Sequence, residues 1–173
     1  KRKEAITGIA SGFKKLDQKT AGFQASDLII LAARPGMGKT AFALNILIHS
    51  GLTHDMSIGF FSLEMTKEQL MMRMLSAKSK IDFGNIRRGY LSETEFKKVV
   101  GAAEDLQKAN IYIDDTPAIT ALELRARTRR LKSDKDIDLL VVDYLQLMRG
   151  AAKSESRERE IAEISSSLKA LAK

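Results

Sequence analysis

The stretch "AARPGMGKT", residues 32–40, has the residue types and the spacing of a phosphate-binding loop. Such a loop points backbone N–H groups at phosphate oxygens, which requires small residues with unusual backbone angles, and Gly36 and Gly38 meet that requirement. A helix after the loop would add the positive end of its dipole. Lys39 would then reach the β- and γ-phosphates of a nucleotide, and the hydroxyl of Thr40 would coordinate Mg²⁺.

The motif departs from G-x-x-x-x-G-K-[ST] at its first position, where Ala33 replaces glycine. The simplest alternative to a phosphate site is a plain turn that carries a solvated lysine. However, "DLIILAA" (27–33) predicts a buried strand before the loop, and "KTAFALNILIHSG" predicts a helix after it that ends at Gly51. This is the context that the motif requires. The predicted phosphate-binding residues are Ala33, Arg34, Pro35, Gly36, Met37, Gly38, Lys39 and Thr40.

Two acidic residues are predicted to complete the site from other strands. Asp143 follows the apolar run "LLVV" and Glu64 follows "IGFFSL", so both would lie at the carboxyl edge of a parallel sheet, where ligands bind. Asp143 would hold Mg²⁺ directly or through water, and Glu64 would orient or deprotonate the attacking water. The alternatives are a turn at Asp143 and a solvated glutamate at Glu64. Asp114 and Asp115, in "DDTP", match a turn better than a site.

Short apolar runs alternate with helical patterns along the chain, which indicates the α/β class. Further strands are predicted within 56–64, 111–115 and 137–148, and "DFGNIRRGY" is predicted to be a break between helices. Capping boxes predict helix starts at Thr66 with Gln69, Ser92 with Glu95, and Thr120 with Glu123. The last helix should place Ile161, Ile164, Leu168 and Leu171 on one face. We expect a doubly wound, mainly parallel sheet with helices on both faces.

The composition restricts the compartment and the partners. The 173 residues form one domain, 1–173, which is expected to be incomplete because no strand follows the last helix. With no cysteine, disulfides and thiolate metal sites are excluded, and the cytoplasm is the default location. No apolar run is long enough to span a bilayer, so no membrane partner is expected. The net charge of +7 suits a polyanion such as nucleic acid, although a solvated basic face would give the same charge.

The segments "ARPGMGKTAFALNI", "FSLEM", "IYIDDTP" and "VVDYLQLM", in this order, resemble the C-terminal ATPase domain of DnaB-type replicative DNA helicases. "GIASGFKKLDQKTAGF" and "EREIAEISSSLKALAK" extend the resemblance over nearly the whole chain. It implies a RecA-like P-loop NTPase that uses ATP and Mg²⁺, with Lys39, Thr40, Glu64 and Asp143 in the roles given above. Members of that family commonly carry alanine at the position of Ala33, so the loop resembles an active variant.

The resemblance also implies partners and missing parts. Family members are ring hexamers that hydrolyse ATP while translocating 5′ to 3′ on single-stranded DNA, and they meet a primase and a helicase loader. Their γ-phosphate sensor and arginine finger would lie beyond Lys173, so this chain should have weak or no hydrolysis of its own. Residues 1–7 would be a remnant of the linker that precedes the domain.

The DNA contacts are harder to assign from the sequence. The loop "RGAAKSESRERE" (149–160) occupies the place of a channel loop in the family and offers Arg149, Lys153, Arg157 and Arg159. A polar loop without a ligand would look the same, and the basic helix "ALELRARTRRLK" matches a solvated or subunit-facing surface. Two other functions remain open, a RecA-like recombinase-type ATPase and a non-hydrolysing nucleotide-binding interaction module.

Overall fold

The computed structural model describes residues 6–148 and 156–173, and a parallel sheet lies at the centre of the described structure. The sheet has three strands in the order β2-β1-β3, where β1 is Ile58–Ser62, β2 is Ile111–Asp114 and β3 is Leu139–Asp143. The central strand β1 is parallel to both neighbours. All three strands therefore end at the same edge of the sheet.

The described residues also form seven α-helices. Their bounds are Lys14–Thr20 (α1), Lys39–Thr53 (α2), Lys67–Ser79 (α3), Phe83–Arg88 (α4), Glu93–Lys108 (α5), Ala121–Lys135 (α6) and Arg157–Ala172 (α7). The three predicted capping boxes are confirmed at the starts of α3, α5 and α6. In each of them the helix start was readable because both partners are three residues apart in the sequence.

Two local predictions about helices were wrong. The helix after the loop does not end at Gly51, because α2 continues to Thr53 and Gly51 is buried in it. A side-chain carbon at Gly51 would lie 3.4 Å from Ile111 of β2, an ordinary contact distance, so this glycine lies in the packed interior of the helix and not at its end. The predicted break at "DFGNIRRGY" contains the short helix α4, which is capped by the side chain of Asp82.

Each face of the sheet is covered by helices, as predicted. Phe60 and Phe61 are neighbours in β1 and point to opposite faces, since side chains alternate along a strand. Phe60 packs in a cluster with α2, α3 and α5, and Phe61 packs in a cluster with α6 and α7. Ile164 and Leu168 of α7 are buried in the second cluster, on the predicted apolar face of that helix.

The predicted strand at 27–33 is not formed. Residues 27–34 belong to no helix or strand, and the side chains of Ile29, Ile30 and Leu31 are 51%, 64% and 43% exposed. A strand needs a neighbour for its N–H and C=O groups, and in the described residues no strand pairs with this segment. Only its beginning is anchored, where Leu28 packs beside the α6 and α7 cluster and the Lys169 ammonium donates to the Ser26 carbonyl at 2.8 Å.

The segment before residue 27 packs against the back of α2. The carboxylate of Asp17, buried in α1, accepts hydrogen bonds from the backbone N–H and the hydroxyl of Ser11 at 2.8 and 2.6 Å. Phe13 stacks on Phe42 of α2 with ring centroids 4.6 Å apart. The Phe13–Phe42 stacking places this N-terminal segment directly against α2, whose first residue is Lys39.

Candidate phosphate-binding site

The loop that precedes α2 has the backbone that the motif requires. Gly36 and Gly38 adopt φ values of 78° and 86°, in the left-handed region, and Gly38 is the N-cap of α2. A side-chain carbon added at either glycine would meet no atom within 4 Å, so the backbone angle and not crowding explains why glycine stands there. The loop residues from Ala33 to Gly38 are exposed, and their backbone is open to a ligand.

The first two residues of α2 meet the carboxylate at the end of β3. The hydroxyl of Thr40 donates to Oδ2 of Asp143 at 2.6 Å, and Nζ of Lys39 lies 3.2 Å from Oδ1. Asp143 is only 5% exposed, and these two partners compensate the burial of its charge. The structure thus brings two neighbouring site residues together with a third that lies 103 positions beyond Thr40 in the sequence. A hydroxyl and a carboxylate side by side are hard oxygen donors of the kind that suits Mg²⁺.

Glu64 lies in the bend that follows β1, two residues beyond its last residue, Ser62. The bend is fixed because the Ser62 hydroxyl donates to the Met65 carbonyl at 2.6 Å, while Leu63 N–H donates to the Asp143 carbonyl at 2.8 Å. The side chain of Glu64 is exposed, and the broad open region that it borders also includes Lys39 and Asp143. It is therefore placed at the predicted edge of the sheet.

One contact at this site was missed from the sequence. Tyr144 follows Asp143 through a cis peptide bond, and its ring centroid lies 3.9 Å from Nζ of Lys39. This is a cation–π distance. The only sequence signal was the position of the tyrosine next to Asp143, and nothing in a single aromatic residue at a strand end indicates that it covers a lysine.

Asp114 and Asp115, at the end of β2, have structural partners as predicted. Oδ1 of Asp114 accepts from Thr116 N–H at 3.0 Å, Oδ2 pairs with Arg127 at 2.7 Å, and Asp115 accepts from Lys67 N–H at 3.0 Å. Partial burial raises the pKa of Asp114, but the hydrogen bonds from Thr116 and Arg127 outweigh it and hold the pKa below its ordinary value. The Asp114 carboxylate thus closes the turn after β2, whereas the Asp115 carboxylate ties that turn to the first residue of α3.

The four predicted DNA-contact residues are only partly described. Arg149 and Lys153 lie outside the described residues. Arg157 and Arg159, predicted to lie in a loop, are instead in the first turn of α7. The Arg157 guanidinium pairs with Glu160 and donates to the Gln146 carbonyl, in the 3₁₀ turn Leu145–Leu147 that follows β3.

Within residues 6–148 and 156–173, every helix is too short or too polar to span a bilayer. No group of three or more histidine, cysteine or acidic side chains is arranged to hold a metal ion there. A Mg²⁺ ion at Thr40 and Asp143 would need further oxygens, and Mg²⁺ commonly takes these from water and substrate phosphates.

Comparison with curated proteins gives close relatives. Replicative DNA helicase DnaC of Bacillus subtilis (strain 168) is 50% identical over 173 residues, which covers 99% of this chain and 38% of that protein. Replicative DNA helicase DnaB of Geobacillus stearothermophilus is 50% identical over 169 residues, which covers 97% of this chain and 37% of the relative. The chain thus spans less than two fifths of the length of these relatives.

Two solved structures have a fold similar to that of this chain. One, described as a DnaB-like replicative helicase and its interactions with primase, superposes with a TM-score of 0.89 at 34% identity and covers 96% of this chain and 41% of that one. A second, described as an ATPase domain, gives 0.91 at 33% identity and covers 99% and 61%. The predicted RecA-like fold is confirmed by these neighbours. The profile of the DnaB-like helicase C-terminal domain matches residues 8–173, and the chain belongs to this family.

Proposed function

We propose that this chain is the ATPase motor domain of a hexameric replicative DNA helicase, which couples Mg·ATP hydrolysis to 5′ to 3′ movement on single-stranded DNA. The observation that supports this most is the junction of Lys39 and Thr40 with Asp143. It joins the phosphate-binding start of a helix to the carboxylate at the ligand-binding edge of a parallel sheet. Family membership supports the same activity.

The site residues divide the reaction between them. The backbone of residues 33–38 binds phosphate oxygens, and Lys39 neutralises the β- and γ-phosphates. Thr40 and Asp143 would hold Mg²⁺, which would supply positive charge next to the phosphates. Glu64 accepts a proton from water as the water oxygen bonds to the γ-phosphorus. The bond from the γ-phosphorus to the bridging oxygen breaks, and its electron pair leaves with ADP.

Partners and DNA contacts belong to the same proposal. The relative described with primase supports a primase as a partner, and the resemblance adds a loader and five further copies of the subunit. Arg149, Lys153, Arg157 and Arg159 would contact DNA phosphates without reading sequence. Arg157 is the weakest of the four candidates, because it would have to exchange Glu160 and the Gln146 carbonyl for a phosphate.

The two other functions differ in what supports them. The family match favours a helicase over a recombinase-type ATPase. A non-hydrolysing module would have no use for a carboxylate at Glu64 and another at Asp143, which lie at adjoining strand ends linked by the Leu63 to Asp143 hydrogen bond. Weak hydrolysis by the isolated chain stays a prediction.

The test measures nucleotide binding and ATP hydrolysis, with and without oligo-dT, in an assembled protein that contains this chain. Lys39→Ala should abolish binding, because the main cation for the phosphates is lost. Glu64→Gln should keep binding and lower turnover by about 10²-fold or more, since proton removal is separate from binding. Met37→Ala is the control, since this side chain is exposed in the same loop and the proposal uses only its backbone.

Three results would count against the proposal. Hydrolysis near the parent rate in Lys39→Ala would remove the phosphate-loop assignment. Loss of ATP binding in Glu64→Gln would make Glu64 a structural residue. A parent protein that binds ATP and does not hydrolyse it, even with oligo-dT, would favour the non-hydrolysing module.

A further inference from the structure

The ammonium group of Lys39 is held between a carboxylate and an aromatic face. Nζ lies 3.2 Å from Oδ1 of Asp143 and 3.9 Å from the ring centroid of Tyr144. The lysine side chain is 26% exposed, so part of its hydration shell has been replaced by these two groups. A cation–π contact gains strength when the cation is partly removed from water.

The backbone that carries the Tyr144 ring is fixed on both sides. Before it, the Asp143 carbonyl accepts from Leu63 N–H at 2.8 Å, which ties the end of β3 to the end of β1. After it, the Tyr144 carbonyl accepts from Leu147 N–H at 3.0 Å, and Met148, at the end of this turn, is buried in the α6 and α7 cluster. The ring is therefore presented to Lys39 by a rigid segment.

The two partners of Lys39 differ in what a phosphate would do to them. The carboxylate of Asp143 competes with a phosphate for the ammonium, because both are anions. A neutral ring face keeps its contact while the ammonium turns toward a phosphate. Lysine also has one of the largest side-chain entropies, and a lysine that is already restrained loses less on binding.

The geometry points to Tyr144 as a positioning residue that aims Lys39 at the phosphates of a nucleotide. The effect resides in the face of the ring and not in the hydroxyl, so phenylalanine should replace tyrosine and an aliphatic residue should not. This inference rests on the proposed nucleotide site. It goes beyond that proposal by assigning a role to a residue outside the phosphate loop and the metal-side carboxylate.

The experiment compares Tyr144→Phe with Tyr144→Leu in this chain, with Tyr90→Leu as the control, because Tyr90 is 73% exposed and outside the site. The first measurement is the NMR shift of the Lys39 ε-methylene protons, assigned by the signal that disappears in Lys39→Arg. The second is the affinity for a fluorescent Mg·ADP analogue. Circular dichroism on each variant shows that it is folded, and Tyr144→Met replaces Tyr144→Leu if the latter is not.

Protons above a ring face resonate upfield, so the parent and Tyr144→Phe should show an upfield-shifted Lys39 signal that Tyr144→Leu loses. The affinity for the analogue should fall about threefold to tenfold in Tyr144→Leu, as the loss of one cation–π contact predicts. It should stay at the parent value in Tyr144→Phe and in Tyr90→Leu.

The two measurements separate the possible failures. An ordinary Lys39 shift in the parent would overturn the inference whatever the variants do. A shifted signal with unchanged or higher affinity in Tyr144→Leu would also overturn it, since the contact would then not help binding. If the parent shows the shift and binds no analogue, the proposed nucleotide site fails and the positioning role fails with it.

Discussion

The segments before and after the phosphate loop are both strongly apolar, but only the segment after the loop is buried. After the loop, Leu44 and Leu47 of α2 are each 1% exposed. Before it, Ile30 is 64% exposed, and residues 27–34 belong to no strand. In the described residues the loop is thus held by α2 and by Asp143, and not by the segment that leads into it.

The difference follows from how the two kinds of structure satisfy the backbone. A helix makes its hydrogen bonds within its own segment, so α2 needs only an apolar surface to pack on. A strand depends on a neighbouring strand for every backbone hydrogen bond. The exposure of Ile29 and Ile30 shows that hydrophobicity alone does not produce a strand. Gly36 and Gly38 nevertheless have left-handed backbone angles, although no strand leads into the loop in the described residues.

The largest effect should come from shortening a side chain on the helix flank. Leu44→Ala removes a fully buried side chain from the cluster around Phe60, and the free energy of unfolding should fall by about 2–5 kcal/mol. Ile30→Ala, on the other flank, should change it by about 0.5 kcal/mol or less, because this side chain is already in water. Urea unfolding followed by circular dichroism measures both.

Similar losses in both variants would break the comparison. They would mean that the segment before the loop is packed in solution, and the physical account of the missing strand would then be wrong. A small loss in Leu44→Ala alone would instead mean that α2 contributes little to the stability of the domain.

A smaller effect should separate two exposed glycines with different backbone conformations, one left-handed and one helical. Gly38, at φ 86°, and Gly101, inside α5, each have nothing within 4 Å of an added side-chain carbon. Gly38→Ala should lower the free energy of unfolding by about 1–2 kcal/mol, because alanine is strained in the left-handed region. Gly101→Ala should raise it by about 0.5–1 kcal/mol, because alanine favours a helix interior. The same urea experiment applies.

Opposite signs in these two variants would show that the loop has its left-handed angle before any phosphate binds. If Gly38→Ala is neutral, the loop adopts another backbone in solution. The burial of Leu44 and Leu47 would then fix the position of α2 but not the backbone angles of the loop.

Features that depend on neighbouring residues could be predicted from the sequence, whereas features that depend on distant residues could not. The capping boxes at Thr66, Ser92 and Thr120 were predictable because each is complete within four residues. The strand at 27–33 was not, because pairing depends on residues far away in the sequence. The extension of α2 past Gly51 was likewise not predictable from the glycine itself, since a glycine can stand inside a helix as well as just after its end.

At the candidate site, the strong motifs were sufficient to predict position but not contacts. The strand end at Asp143 could be predicted from "LLVVD", and the structure places it beside Thr40 across 103 positions of sequence. The Tyr144 ring over Lys39 and the Arg157 bond to the Gln146 carbonyl depend on the path of the chain after β3. No local pattern encodes that path. The roles of Lys39, Thr40, Glu64 and Asp143 in catalysis stay predictions.

The smallest expected effect extends the comparison to the acids that end neighbouring strands. Asp143 ends β3 and faces the loop, whereas Asp114 ends β2 and is engaged by Thr116 and Arg127. Asp114→Asn should therefore lower the free energy of unfolding at pH 7 by about 1 kcal/mol, a value reduced for the partial exposure of the pair. Nucleotide affinity should be unchanged, because the contacts of Asp114 are with the turn and α6.

The lowered pKa of Asp114 also predicts how the stability difference between parent and Asp114→Asn changes with pH. Folding lowers the pKa of Asp114, so its ionised form stabilises the native state above the unfolded pKa of about 3.9, and that stabilisation is lost as the pH falls through the folded pKa. The difference between parent and Asp114→Asn should thus be constant near neutral pH and shrink below about pH 4. Asp105→Asn, which breaks an exposed pair with Lys78, is the control and should differ little from the parent at pH 7. A loss of nucleotide affinity in Asp114→Asn would place the end of β2 in the site, and the division between structural and functional strand ends would have to be redrawn.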